Sequence, residues 1–132
     1  MKIFLDDERV PVEDGWRVVR TVDDFITLIH RMNELVVEIS FDHDLADEMD
    51  RSATYCINEM IQMELDKADA FPRLQNVILH TANYAGLKNM AADWACAKKA
   101  GMFKGVKIKE YSCLYHTDHA VMPLDFERDE NE

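Results

Sequence analysis

A parallel α/β sheet with helices on both faces is the architecture this sequence predicts, and two observations predict it. Short apolar, β-branched runs alternate along the chain with amphipathic helical stretches, the order that parallel pairing demands. Two of those runs end in tight acidic clusters, Asp6-Asp7-Glu8 and Asp42-His43-Asp44. Ligands of open parallel sheets bind at the carboxyl ends of strands, so both clusters fall where a ligand site belongs.

The elements follow in order. Lys2-Ile3-Phe4-Leu5 reads as a short buried strand, and Trp16-Arg17-Val18-Val19-Arg20 alternates like a second one after Pro11 and Gly15. A parallel crossover usually takes a dozen or more residues and a helix. Asp6 to Gly15 is short for that, so an irregular loop or a single helical turn is expected, with the first crossover helix shortened or absent. Thr21-Val22-Asp23-Asp24 has the form of a helix start, continued at helical spacing by Phe25, Leu28, Ile29 and Met32. Residues 36–41 form the third strand, and a polar loop from Ala46 to Arg51 leads to a helix with the stripe Cys56, Ile57, Met60, Ile61 and Leu65. Asn76 to His80 is the fourth strand. Gly86 opens a third helix striped by Leu87, Met90, Ala91 and Trp94 and closed near Gly101. The fifth strand lies around Val106 to Lys109 or Tyr111 to Leu114.

At 132 residues and 48% hydrophobic content the chain makes one domain with a real core. Residues 1–124 are read as that domain and 125–132 as an acidic, solvated tail. No apolar run approaches a membrane span and no signal-peptide pattern opens the chain, so a soluble cytoplasmic protein is expected. The three cysteines, Cys56, Cys96 and Cys113, form no CxxC, which argues against a disulfide framework or a thiolate zinc site. A net charge of -11, from 26 acids against 15 Lys and Arg, disfavours duplex DNA bound through a broad basic face. It suits divalent cations or a basic protein partner.

In a doubly wound sheet the first and third strands are neighbours, which would bring Asp6 and Asp7 toward Asp42 and Asp44. Hard oxygen ligands in that number suit Mg²⁺. Asp also favours loop starts and caps, which explains one such residue well but two paired clusters poorly. His80-Thr81-Ala82-Asn83 ends the fourth strand at the next rim position. There Thr81 and Asn83 can donate to a phosphoryl oxygen, and His80 can act as general acid or base. Asn83 could equally cap the following helix. The carboxylates flanking His43 favour its protonated form, an acid for a leaving alkoxide. His116-Thr117-Asp118-His119 has ligand-like composition but reads as a turn. Among Arg9, Lys88, Lys104, Lys107 and Lys109, one could reach a phosphate, and Arg9 follows directly on the first acidic cluster.

Asp6-Asp7, Asp42 and Thr81-Ala82, each after its strand, resemble the acidic pocket, phospho-acceptor and hydroxyl switch of response-regulator receiver domains. The fuller strings Leu5-Asp6-Asp7-Glu8-Arg9, Ser40-Phe41-Asp42-His43-Asp44-Leu45 and His80-Thr81-Ala82-Asn83 resemble the cyclic-phosphate processing receiver-like family, over roughly residues 1–95. The resemblance implies a flavodoxin-like, doubly wound, five-stranded parallel sheet. It further implies Mg²⁺ or Mn²⁺ held by Asp6, Asp7 and Asp42, His43 and His80 as the acid/base pair, and Thr81 and Asn83 on phosphate. Phe41 stands where Leu is commoner, Thr81 where Ser is, and Tyr84 where Pro often follows Asn. The lysine that receivers carry after the last strand has no evident counterpart.

The leading function is thus a metal-dependent phosphoesterase acting on a cyclic nucleotide or an RNA end with a cyclic phosphate. The alternatives are a stand-alone receiver phosphorylated on Asp42, and a non-catalytic protein that sequesters nucleotides or inhibits a basic partner.

Overall fold

The computed structural model describes residues 1–112 and 120–121. Five strands form one parallel sheet in the order β3-β1-β4-β5-β6: β1 (Lys2–Leu5), β3 (Trp16–Val19), β4 (Glu38–Phe41), β5 (Asn76–Thr81) and β6 (Lys107–Ser112). β1 is central to one half, with Leu5 paired to Val19 on one side and to Phe41 on the other. Three helices alternate with the strands, α1 (Val22–Met32), α2 (Ala53–Asp66) and α3 (Tyr84–Lys99). The receiver-like α/β fold expected from the sequence is the fold found.

Local chemistry sets the helix starts. Thr21 caps α1 by accepting from Asp24 N at 3.0 Å, Ser52 caps α2 through Thr54 N at 3.2 Å, and Asn83 caps α3 through Gly86 N at 2.9 Å. Because Asn83 caps, α3 begins at Tyr84, ahead of the Gly86 start expected from the sequence. Leu65 departs from its expected place in the α2 stripe and is 64% exposed. The steps from Ile57 to Ile61 to Leu65 each advance four residues, and such steps drift about 40° around a helix, carrying Leu65 off the buried face.

The first crossover carries no helix, as its length requires. Instead Val10–Pro11 forms a two-residue strand, β2, paired in parallel with Ala120–Val121, β7. Gly15, at φ +95°, turns the chain into β3 in a conformation open to glycine.

One expectation needs correcting. All three described helices pack on the same face of the sheet, against Ile3, Leu5, Ile39, Phe41, Val77 and Leu79. The reason is directional. The β1-to-β3 connection steps outward one way and every later crossover steps the other way. With right-handed crossovers, only the first would have placed a helix on the opposite face. On that opposite face lie Phe4, Ser40, Ile78 and His80, all fully buried, with Trp16 and Tyr111 packed on Phe4.

The core is aromatic at its centre. Phe41 lies 5.4 Å from Phe25 and 6.2 Å from Trp94, centroid to centroid, joining the sheet to α1 and α3. Among the described residues no helix is long and apolar enough to cross a membrane. The residues 125–132, the His116–His119 segment and Cys113 lie outside the described residues.

Candidate functional site

The order β3-β1-β4 creates a switch point at the carboxyl ends of β1 and β4, where the connections leave in opposite directions. Both strands extend their ladders one residue into it. Asp6 N donates to Val19 O at 3.1 Å and Asp42 N donates to Leu5 O at 2.9 Å, so both carboxylates start from fixed backbone. One oxygen from each of Asp6, Asp7 and Asp42 falls within 4.8 Å of the others, a group able to hold a metal ion.

Asp6 is wholly buried and fully engaged. Its Oδ1 accepts from Glu8 N and Arg9 N at 2.8 Å each, and its Oδ2 lies 2.9 Å from His80 Nε2 and 3.4 Å from Arg9 Nη1. Burial alone would raise its pKa, but the His80 ring and the two backbone donors overcome that and hold it at about 2. Arg20 braces the same turn, its guanidinium donating to Asp6 O at 3.1 Å and Arg9 O at 2.8 Å.

Asp42 is the counterpoint. Burial first, then the charge on Asp6, push its pKa up to about 7, against the opposing pull of the Thr81 hydroxyl and Arg9. Arg9 Nη1 stands 3.8 Å from Asp42 Oδ2, between the two carboxylates. Asp7 is also raised, by partial burial and by Asp6, while its Oδ2 accepts from Ala46 N at 3.1 Å and ties the two loops together. Three acids in one pocket thus hold more negative charge than their own donors neutralise.

The two histidines part company. His80 is fully buried, with Ser40 Oγ 2.6 Å from Nδ1, Asp6 2.9 Å from Nε2, and Phe4 stacked on its ring at 4.6 Å. Both nitrogens therefore face protein. His43, 14% exposed, has Nδ1 at 2.8 Å from Asp44 Oδ1, and no described residue bonds its Nε2. Asn83 Nδ2 donates to both Asp44 oxygens, at 3.2 and 3.1 Å, while Asn83 Oδ1 holds Gly86 N. The circuit closes on itself. A Cβ at Gly86 would meet the His43 ring at 2.4 Å, so glycine is required for that ring to lie on the first turn of α3.

Asp44 does not join the carboxylate group: its side chain is 66% exposed and spent on His43 and Asn83. The four-acid set expected from the sequence is three. Thr81 is buried between Asp42 and Asn83 N, which donates to its Oγ1 at 3.1 Å. Sequence reading placed Arg20 in a strand, Ser40 in a motif and Gly86 at a helix start, but gave none of them a role in the site. Each carried a faint signal: a hydroxyl inside an apolar strand, an arginine just past a strand end, and a glycine within a helical stretch.

The model of the cyclic-phosphate processing receiver domain family matches residues 1–95, a span that includes every residue of this pocket. No curated protein and no solved structure matches the chain.

Proposed function

From the premise that this chain belongs to the cyclic-phosphate processing receiver family, we propose that it is a metal-dependent phosphoesterase opening a cyclic phosphate on a nucleotide or RNA end. The observation that carries the reading is the group Asp6, Asp7 and Asp42, two of whose members are held above their ordinary pKa by burial and mutual repulsion. Hard oxygen donors under that strain fit a divalent cation such as Mg²⁺ or Mn²⁺. Bound there, the cation would neutralise phosphoryl oxygens and make water a stronger acid.

The chain's own groups divide the remaining work. His43, next in sequence to Asp42, carries the proton at Nε2 and delivers it to the leaving alkoxide, while Asp44 fixes the ring through Nδ1. Arg9 brings a guanidinium to the pocket edge for a phosphoryl oxygen. His80, expected from sequence to share the acid/base role, acts from behind as a positioning residue that keeps Asp6 ionised. Thr81 and Asn83 likewise work through Asp42 and Asp44 rather than by meeting phosphate directly.

The phospho-acceptor alternative lacks, among the described residues of β6, a lysine at the rim register. The register opposite Thr81 is filled by Ser112, and Lys109 pairs with Ile78, well short of the rim. The test is ³¹P NMR on a panel of 2′,3′-cyclic nucleotides and cyclic oligonucleotides with Mg²⁺ or Mn²⁺. Metal-dependent ring opening that disappears in Asp42→Asn and His43→Ala is expected. Intact cyclic phosphate throughout the panel would sink the proposal.

A further inference from the structure

Two exposed tyrosines stand on the first turns of adjacent helices at the site end of the sheet, Tyr55 on α2 and Tyr84 on α3. His43 lies between those turns: Ala53 N donates to its carbonyl at 3.0 Å, and its ring rests on Gly86. Each tyrosine carries a cation over its ring at 5.2 Å, Arg51 on Tyr55 and Lys88 on Tyr84.

The two pairs differ in what the cation is otherwise doing. Arg51 is committed to Asp47 at 2.9 Å and Asp23 at 3.0 Å. Lys88 forms no salt bridge among the described residues. Tyr84 is 59% exposed, and it directly follows Asn83, whose amide clamps the carboxylate that orients His43. An aromatic face held in water, beside an ammonium engaged by that same tyrosine rather than by a carboxylate salt bridge among the described residues, and one residue from a phosphate-site clamp, is what a nucleobase stacks on.

We infer that Tyr84 and Lys88 form the nucleoside subsite of this pocket, the base of a nucleoside cyclic phosphate stacking on Tyr84 while Lys88 attracts its phosphate-bearing sugar. The inference rests on the reading of the carboxylate pocket as a cyclic-phosphate site, and it names the substrate class: a cyclic phosphate carrying a base. Stacking is tolerant of base identity, so purine and pyrimidine nucleotides should both be accepted.

The experiment compares adenosine 2′,3′-cyclic phosphate with glycerol 1,2-cyclic phosphate, both in Mg²⁺, by ¹H NMR titration. Ring opening is followed in the same samples by ³¹P spectra. The proteins are wild type, Tyr84→Phe, Tyr84→Ala and Lys88→Ala; all three substitutions are on exposed side chains. The adenosine compound should bind at least about tenfold tighter than the glycerol compound, the size of one base–aromatic stack. Tyr84→Ala should erase that margin, Tyr84→Phe should keep it, Lys88→Ala should reduce it, and the glycerol compound should be indifferent to Tyr84. Equal binding of the two compounds, no binding of the adenosine compound, or a margin that survives Tyr84→Ala would overturn the subsite. Ring opening without any Tyr84 dependence discards the subsite and leaves the phosphoesterase reading intact. Tyr84-dependent binding without ring opening does the reverse.

Discussion

His43 and His80 are the same residue type at neighbouring strand ends, and their surroundings give them different work. Of these two, only His43 has a ring nitrogen without a partner among the described residues, so His43→Ala should cost about 10²–10⁴ in kcat, with a smaller loss of stability than at His80. His80→Ala should instead cost about 2–4 kcal/mol in urea unfolding, because it opens a hole beside Phe4 and strips Asp6 of a donor. Asp42 gives a pH dependence of unusual sign. Its folded pKa of about 7 lies above the unfolded 3.8, so the folded state binds the extra proton between those values. Metal-free stability should therefore fall by roughly 3–5 kcal/mol as pH rises from about 4 to 7. Asp6, lowered to about 2, acts the other way: its contribution is present above 3.8 and lost as pH falls through 2. Mg²⁺ should raise Tm more at pH 8 than at pH 5.5, since Asp42 must shed its proton to bind; an equal rise at both would show that Asp42 is not a ligand. The carboxylate clusters were legible in the sequence because acids at strand ends are a positional pattern. Which histidine faces the pocket was not, because that depends on whether Ser40 and Asp6 close on the ring from across the sheet.

Among the elements, the first turn of α3 matters most to the site. It supplies the Asn83 cap, the clamp on Asp44 and the gap at Gly86 that admits the His43 ring. Gly86→Ala sets two effects against each other. Alanine favours the helix by about 1 kcal/mol, but its Cβ would sit 2.4 Å from His43 and must displace a ring the site needs. Thermal stability should change little while kcat drops at least about tenfold; unchanged kcat would remove His43 from the mechanism. The α1 cap is the control. Thr21→Ala should cost about 1 kcal/mol of stability with no effect on activity, because that cap bonds only Asp24 N and touches no site residue. Helix identity was readable from stripes and caps. The exact start of α3 was not, since Asn83 could serve either as cap or as ligand until its side-chain oxygen was seen on Gly86 N.

For the molecule as a whole, the switch point between β1 and β4 is what gathers part of a net charge of -11 into one three-carboxylate group able to hold a metal ion. The same compactness sorts the cysteines: burial pushes the Cys56 thiol up to about 12, whereas Cys96 is exposed. In a Cys113→Ser background, a thiol reagent should modify Cys96 in the native protein and Cys56 only on unfolding; rapid native labelling of Cys56 would contradict the packing of α2 on the sheet. The amino-acid sequence by itself determined the parallel α/β class, the missing first crossover helix and the rim on which Asp6, Asp7, Asp42, His43 and Thr81 stand. Those follow from periodicity, chain length and strand ends, all local properties. Tertiary structure alone decided that three helices share one sheet face, that Asp44 serves His43 instead of the carboxylate group, and that His80 is sealed behind Asp6. Each of these depends on which residues meet across strands distant in sequence, and only the folded sheet brings them within hydrogen-bonding distance.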